Sequence, residues 1–185
     1  MLPIIVLLVI GGLLALILIA MYNRLVRLRQ NVRESWSAID TELRRRYDLI
    51  PNLVETVKGY ASHERETLEA VIKARNAAVA NTGTPAEQAQ TETMLSGALR
   101  QLFALSEAYP QLRANENFQQ LQAQLEETET RISQSRRFYN ANVRELNTAV
   151  ETFPSVLIAG AFGFRPEQYF EIEDAAARGP VAVKF

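Results

Sequence analysis

Arg44-Arg45-Arg46-Tyr47-Asp48-Leu49-Ile50-Pro51-Asn52-Leu53-Val54, running on to Tyr60-Ala61-Ser62-His63-Glu64, is the stretch that decides the fold. Upstream of it, from Leu13 to Ile50, there is neither glycine nor proline, so helix can run without a break. Leu25, Leu28, Val32, Trp36, Ile39, Leu43, Tyr47, Ile50, Val54 and Val57 recur at a mean spacing of ~3.6, the helical period, with Arg, Glu and Asp between them. One face of this helix is therefore buried against other helices. Pro51 interrupts the pattern, because a residue before proline is pushed out of the α region. Asp48 can cap a new helix with Pro51 in its first turn. A tight turn here, in preference to a sharp kink, gives a second helix over Leu49 to Ala80. Its apolar stripe is Leu53, Val57, Tyr60, Leu68, Val71 and Ile72, and Gly59 within it marks a close helix approach.

Downstream, Asn81-Thr82-Gly83-Thr84-Pro85-Ala86-Glu87 reads as a stop followed by a start. Gly83 ends one helix, and Thr84, Pro85 and Glu87 form a capping box with proline at the first position. The third helix runs from Pro85 to Ala108 with Leu95, Leu99, Leu102 and Phe103 as its apolar set, and Tyr109-Pro110 ends it. Asn115 can cap a fourth helix over Glu116 to Thr152. That helix carries a heptad: Phe118, Leu125, Ile132, Tyr139, Leu146 and Phe153 form a bulky column beside Leu121, Thr128, Ser135, Asn142 and Ala149. Asn142 is a candidate buried polar residue that fixes register, or else a half-exposed one. Phe153-Pro154 stops the helix. The tail beyond it holds Phe162, Phe164, Tyr169, Phe170 and Phe185 with Gly160, Gly163 and Gly179, and Arg165-Pro166-Glu167 can open a short helix. So aromatic a tail must pack on the bundle, on a partner or on a membrane.

At the other end, Ile4 to Met21 is an uncharged apolar run. It spans ~27 Å as helix, close to the ~30 Å hydrocarbon core of a bilayer. No basic residue precedes it and no small-x-small cleavage site follows it, which favours a retained anchor over a cleaved signal peptide. Tyr22 stands where an interfacial aromatic belongs, and Arg24, Arg27, Arg29 and Arg33 follow the span before any acid. The positive-inside rule then puts the rest of the chain in the cytoplasm. These arginines set topology, and could also meet anionic lipid. The expected division is an anchor over 1–23, a bundle over 24–153 and a tail over 154–185.

These residues also form a family pattern. Tyr22-Asn23, Trp36, Arg45 to Val54 and Tyr60 to Glu64 are followed by Ala74-Arg75, Asn115-Glu116-Asn117-Phe118 and Glu127-Thr128-Glu129-Thr130-Arg131-Ile132. Tyr139-Asn140, Phe153-Pro154-Ser155 and Phe162-Gly163-Phe164 complete it, so the match covers nearly the whole chain. The pattern resembles that of the LemA family of bacterial membrane-anchored helical proteins. The resemblance implies an antiparallel four-helix bundle on an N-terminal anchor, and it implies no established enzyme activity, cofactor or catalytic residue.

The residues themselves point the same way. The 185-residue chain has a net charge of -1, no cysteine and a single histidine. A disulfide framework and a thiolate zinc site are excluded, and nothing global suggests nucleic-acid binding. His63-Glu64 lacks the second histidine that zinc or paired di-iron motifs need, and His63 reads as a partly buried or capping residue at a helix bend. Glu126, Glu127 and Glu129 read as a solvated acidic face. The serines have no base apart from His63, and there is no Gly-rich phosphate loop. Arg44, Arg45 and Arg46, diluted by Asp40, Glu42 and Asp48, are either a solvated face with local ion pairs or a docking patch for an acidic protein or anionic lipid.

The expectation is thus an all-α protein: a transmembrane helix, then an antiparallel up-and-down four-helix bundle, then an aromatic tail docking through Phe162, Phe164, Tyr169 and Phe170. In that topology the turn near Pro51 and the link near Pro110 lie together at the far tip. Residues 155–162 then lie against the membrane surface or the bundle's base. Helix lengths fit imperfectly, at ~36 Å for the first soluble helix against ~55 Å for the fourth. The function expected is a non-enzymatic scaffold or adaptor in the bacterial inner membrane, with a protein partner, possible self-association through Gly11-Gly12 or the tail, and no cofactor, metal or nucleic acid. The alternatives are a lipid- or envelope-stress-sensing surface module and an enzyme dependent on His63.

Overall fold

The computed structural model describes residues 1–172. Phe185 and Gly179 of the expected tail lie outside the described residues. Among those described there is no strand, and the elements are α1 (Leu2–Lys58), α2 (Arg65–Ala80), α3 (Pro85–Ser106), α4 (Pro110–Arg113), α5 (Glu116–Glu151) and α6 (Ser155–Ala161). The protein is all-helical, and its first helix opens on an apolar stretch with no residue buried in the protein.

The expected turn at Pro51 is absent, and α1 passes through it unbroken to Lys58. A proline inside a helix lacks the N–H that would bond the carbonyl four residues back, here that of Tyr47. Arg75 of α2 supplies the missing donor, its Nε lying 2.9 Å from the Tyr47 carbonyl oxygen. Pro51 itself faces solvent, so its ring displaces no packing. The true reversal is Gly59–Glu64, and the helix expected over 49–80 is two helices. Gly59 accordingly sits in this turn, where an added Cβ would meet only the Glu55 and Thr56 carbonyls of its own helix. No neighbouring helix dictates it. The length mismatch also disappears: 24–58 of α1 and the 36-residue α5 each span roughly 53 Å.

The compact units are two. The first joins Met1–Ala38 to Arg137–Gln168, and the second contains Ile39–Arg136 with residues 169–172. In the first, Leu25, Leu28 and Val32 of α1 are buried, as are Tyr139, Val143, Leu146, Ala149 and Val150 of α5. Trp36 and Tyr139 pair with ring centroids 5.3 Å apart. Ile158 and Ala159 of α6 are buried too. Gly163, at φ 71°, then reverses the chain in the left-handed region that glycine enters freely. Beyond it, Asn147 Nδ2 donates to the Glu167 carbonyl (2.9 Å) and its Oδ1 accepts from the Glu167 N–H (2.8 Å). Tyr139 Oη donates to the Gln168 carbonyl at 2.9 Å. These bonds tie 164–168 to α5 without regular secondary structure, and the short helix expected at Arg165-Pro166-Glu167 does not form. The tail's helix is α6, ten residues earlier. The heptad column of α5 is buried from Phe118 to Leu146, but Phe153 is 79% exposed because the helix ends at Glu151. Asn142 is half-buried and its Nδ2 reaches the Asn31 carbonyl at 3.4 Å.

In the second unit, Ile39, Leu43, Ile50, Leu53, Val54 and Val57 of α1 are buried, as are Leu68 and Val71 of α2, Leu95, Leu99 and Leu102 of α3, and Phe118, Leu125 and Ile132 of α5. Tyr60 and Ile72, expected in the α2 stripe, are each 42% exposed. The turn 59–64 and the link 109–115 are tied together: Tyr109 Oη donates to Glu64 at 3.0 Å, and Asn115 Nδ2 donates to Tyr60 Oη at 3.0 Å. The expected meeting of the first turn with the Pro110 link therefore occurs, displaced from Pro51 to 59–64. The Thr84–Glu87 capping box forms with Pro85 in the first turn, and Asn115 Oδ1 accepts the Phe118 N–H at 2.9 Å. The helix stop is Asn81, not Gly83. Glycine at 83 leaves room for the capping box, since an added Cβ would run into the Glu87 carboxylate.

Candidate functional site

The three consecutive arginines do not form one surface. A helix turns about 100° per residue, so successive side chains point apart. Arg44 is exposed and pairs with Asp40 at 2.9 Å, one turn back. Arg45 reaches Glu127 of α5 at 3.9 Å. Arg46 points into the second unit and is 4% exposed. The expected docking patch of Arg44, Arg45 and Arg46 is thus two outward residues and one core residue.

Around Arg46 lies a cluster of charges. Its guanidinium contacts Glu92 of α3 (Nη1–Oε2 3.4 Å) and Glu129 of α5 (3.1 Å), and donates to Ser96 Oγ at 2.8 Å. Tyr47, the next residue on α1, donates its hydroxyl to Glu92 Oε1. Gln88 donates from Nε2 to Tyr47 Oη (3.0 Å), Glu92 Oε1 (3.2 Å) and the Ala78 carbonyl (3.2 Å). Gln88, Glu92 and Ser96 stand four residues apart, so α3 presents them as one row toward α1.

Glu92 is fully buried. Burial raises its pKa, against the opposing pull of the Tyr47 hydroxyl, Arg46 and Gln88. Burial and the Glu92 carboxylate also raise the pKa of Tyr47, keeping it a proton donor. A buried carboxylate with donors on both oxygens and a shared guanidinium is held rather than poised: its lone pairs are already engaged. The open groove bounded by Asp40, Thr41, Arg44, Arg45, Asp48, Leu49 and Asn52 lies on α1 alone and does not reach it. The sequence reading missed Gln88 and Glu92, and gave Arg75 no role beyond its place in the family pattern. The only available signal was the four-residue spacing of Gln88, Glu92 and Ser96 beside the apolar row of α3.

Of the acidic face, Glu127 pairs with Arg131 at 2.7 Å, which lowers its pKa, while Glu129 turns to Arg46. His63 is exposed in the 59–64 turn, neither partly buried nor capping; the capping position is Glu64, whose side chain makes no cap bond. Among the described residues no group of three metal-ligating side chains converges.

The arginines after the apolar segment divide as well. Arg24, Arg27 and Arg33 are exposed. Arg29 lies over the Phe164 ring, 4.7 Å from its centroid, and its Nε finds no acceptor among the described residues. Of the four tail aromatics, Phe164 and Phe170 are buried, Phe162 is 63% exposed and Tyr169 37% exposed. Tyr22 packs on two of them, 4.9 Å from Phe162 and 5.9 Å from Phe164. Burial, with Glu167 nearby, pushes the Tyr139 hydroxyl up to about 12.

The chain is similar to curated bacterial proteins. It is 24% identical to the magnetosome protein MamQ of Magnetospirillum gryphiswaldense, the alignment covering 85% of this chain and 67% of the relative. It is 25% identical to magnetosome protein MamQ 2 of Paramagnetospirillum magneticum over the same shares. The family model described as "LemA family" matches residues 35–185, which takes in the Arg46–Glu92 cluster, all of α2 to α6 and the last 24 residues of α1, so the chain belongs to the LemA family.

Proposed function

We propose that this protein is a single-pass inner-membrane scaffold or adaptor, presenting an antiparallel up-and-down four-helix bundle to protein partners on the cytoplasmic side, without catalysis of its own. The observation that carries this reading is the change of character along α1. Its first part is apolar and exposed on every side, as suits lipid. From Leu25 on, the same helix buries a stripe against protein. The matched lengths of α1 and α5, and the bonds joining the 59–64 turn to the 109–115 link, support the up-and-down topology. The buried charges favour a framework over a reaction centre, because they are spent on one another. The two relatives are named for the magnetosome, an assignment to a structure rather than to a reaction, and this favours a role in an assembly.

The chain has no cysteine, so Ala108→Cys, at an exposed position, gives a single label site. Protection from membrane-impermeant maleimide until the inner membrane is broken is expected. Labelling in cells whose outer membrane alone is opened would overturn the cytoplasmic placement. A photocrosslinker at exposed Gln120 should yield a discrete heavier adduct with another protein; a chain crosslinked to nothing, or only to itself, would remove the adaptor reading.

A further inference from the structure

The short helix α6 buries one side and leaves the other bare. Ile158 and Ala159 face inward, while Val156, Leu157, Gly160 and Ala161 share the open side. Leu157 is 66% exposed, and the flanking Phe153 and Phe162 are 79% and 63% exposed. Side chains this large and this open are out of place in water. Their position along the protein says what covers them. Phe162 touches Tyr22, the residue that closes the apolar run of α1. If that run crosses a bilayer, Tyr22 stands at its surface, and a ring 4.9 Å away shares that depth.

Beside α6 a groove of about 310 Å³ opens, its lining including Arg24, Arg144, Glu145, Thr148, Thr152 and Ser155. Ser155 is the first residue of α6, and Arg24 lies two residues beyond Tyr22. Neither Arg24 nor Arg144 makes an ion pair among the described residues, and with Glu145 opposing them the groove stays net positive. An apolar ridge at the end of a span, next to unpaired guanidinium groups, matches the layering of a phospholipid leaflet: acyl boundary, then phosphate.

We propose that α6 is a second membrane contact. Phe153, Val156, Leu157 and Phe162 enter the headgroup–acyl boundary of the bilayer that holds the span, and Arg24 and Arg144 face lipid phosphates there. This rests on the membrane-anchor reading of α1, and the test separates the two.

Full-length chains carrying a single environment-sensitive fluorophore at Leu157→Cys, Leu13→Cys or Ala108→Cys are reconstituted into phosphatidylcholine–phosphatidylglycerol vesicles. Brominated lipids then quench from a shallow or a mid-bilayer position. The expected result is loss of Leu157-site fluorescence, greatest with shallow bromines, loss at the Leu13 site with mid-bilayer bromines, and no loss at the Ala108 site. Quenching at the Leu13 site without any at the Leu157 site would overturn the α6 contact and leave the anchor standing. Absence of quenching at the Leu13 site would remove the anchor itself. For the arginines, Leu157-site quenching should increase with phosphatidylglycerol content, and Arg24→Gln with Arg144→Gln should abolish that increase. An increase that survives both substitutions would overturn their role.

Discussion

Pro51 takes one N–H out of α1, and a residue on another helix replaces it. This arrangement predicts an interaction that no single substitution reveals. Arg75→Leu leaves the Tyr47 carbonyl without its donor and should cost about 1–3 kcal/mol. In a Pro51→Ala background the alanine N–H can bond that carbonyl in the ordinary helical way, and the same Arg75→Leu should cost much less. A double-mutant cycle by denaturant unfolding in mild detergent measures the difference. Equal costs in the two backgrounds would mean that Arg75 does not stand in for the missing donor.

The buried cluster gives a second prediction of this kind. Arg46→Leu strands Glu92 without its cation and should cost about 3–5 kcal/mol, whereas changing Arg46 and Glu92 together to leucine should cost less than the sum. Its pH dependence follows from the raised pKa of Glu92. A carboxyl whose folded-state pKa lies above the unfolded value contributes stability that is present in acid and lost as pH rises through the folded value. Glu92→Gln cannot ionise. The stability of the parent relative to this variant should therefore fall as pH increases above the ordinary value of 4.5. Glu127, whose pKa is lowered by Arg131, contributes in the opposite sense, but it is common to both proteins and cancels in the comparison.

At the level of the elements, the heptad column of α5 separates position from pattern. Leu146 and Phe153 occupy the same column seven residues apart, yet one is buried and the other lies past the helix end. Leu146→Ala should destabilise by about 2–5 kcal/mol, while Phe153→Ala should leave the unfolding midpoint nearly unchanged. Loss of the Thr84 cap should cost roughly 1 kcal/mol, read as an earlier unfolding transition of Thr84→Ala. Much of this level was legible in the sequence. The α1 stripe, the capping box, the Asn115 cap and the stop at Phe153-Pro154 all depend on residues within one or two turns of each other. The position of the first reversal was not legible, because the donor that lets Pro51 stay helical comes from 28 residues away in sequence from the carbonyl it serves. Glu92 was hidden for a similar reason. A charged residue on an amphipathic helix reads as solvated until the arginine and tyrosine that enclose it are known to face it. The short helix expected in the tail does not form because, although Arg165-Pro166-Glu167 carries good starting residues, Asn147 bonds both the N–H and the carbonyl of Glu167.

For the molecule as a whole, the apolar opening of α1 is set apart by its exposure: among the described residues none of it is buried. Deleting residues 2–21 should move the chain from the membrane pellet to the supernatant. The thermal midpoint of the helical signal should stay where it is, since none of the deleted residues below Met21 is buried and Met21 itself is only half-buried. A midpoint lowered by ten degrees or more, about 3–5 kcal/mol for a chain of this size, would show that the segment belongs to the folded core after all.

The order in which the chain is made gives the Arg46 cluster another consequence. Arg46 and Tyr47 leave the ribosome long before their partners: Glu92 follows 46 residues after Arg46, and Glu129 is later still. At translation speeds of about 5–20 residues per second the wait for Glu129 is on the order of ten seconds. During that interval α1 cannot close over a dry core without stranding a guanidinium and a phenol. The nascent helix must stay wet along that row, with its apolar stripe open to chaperones or to the bilayer surface, until α3 and then α5 are synthesised.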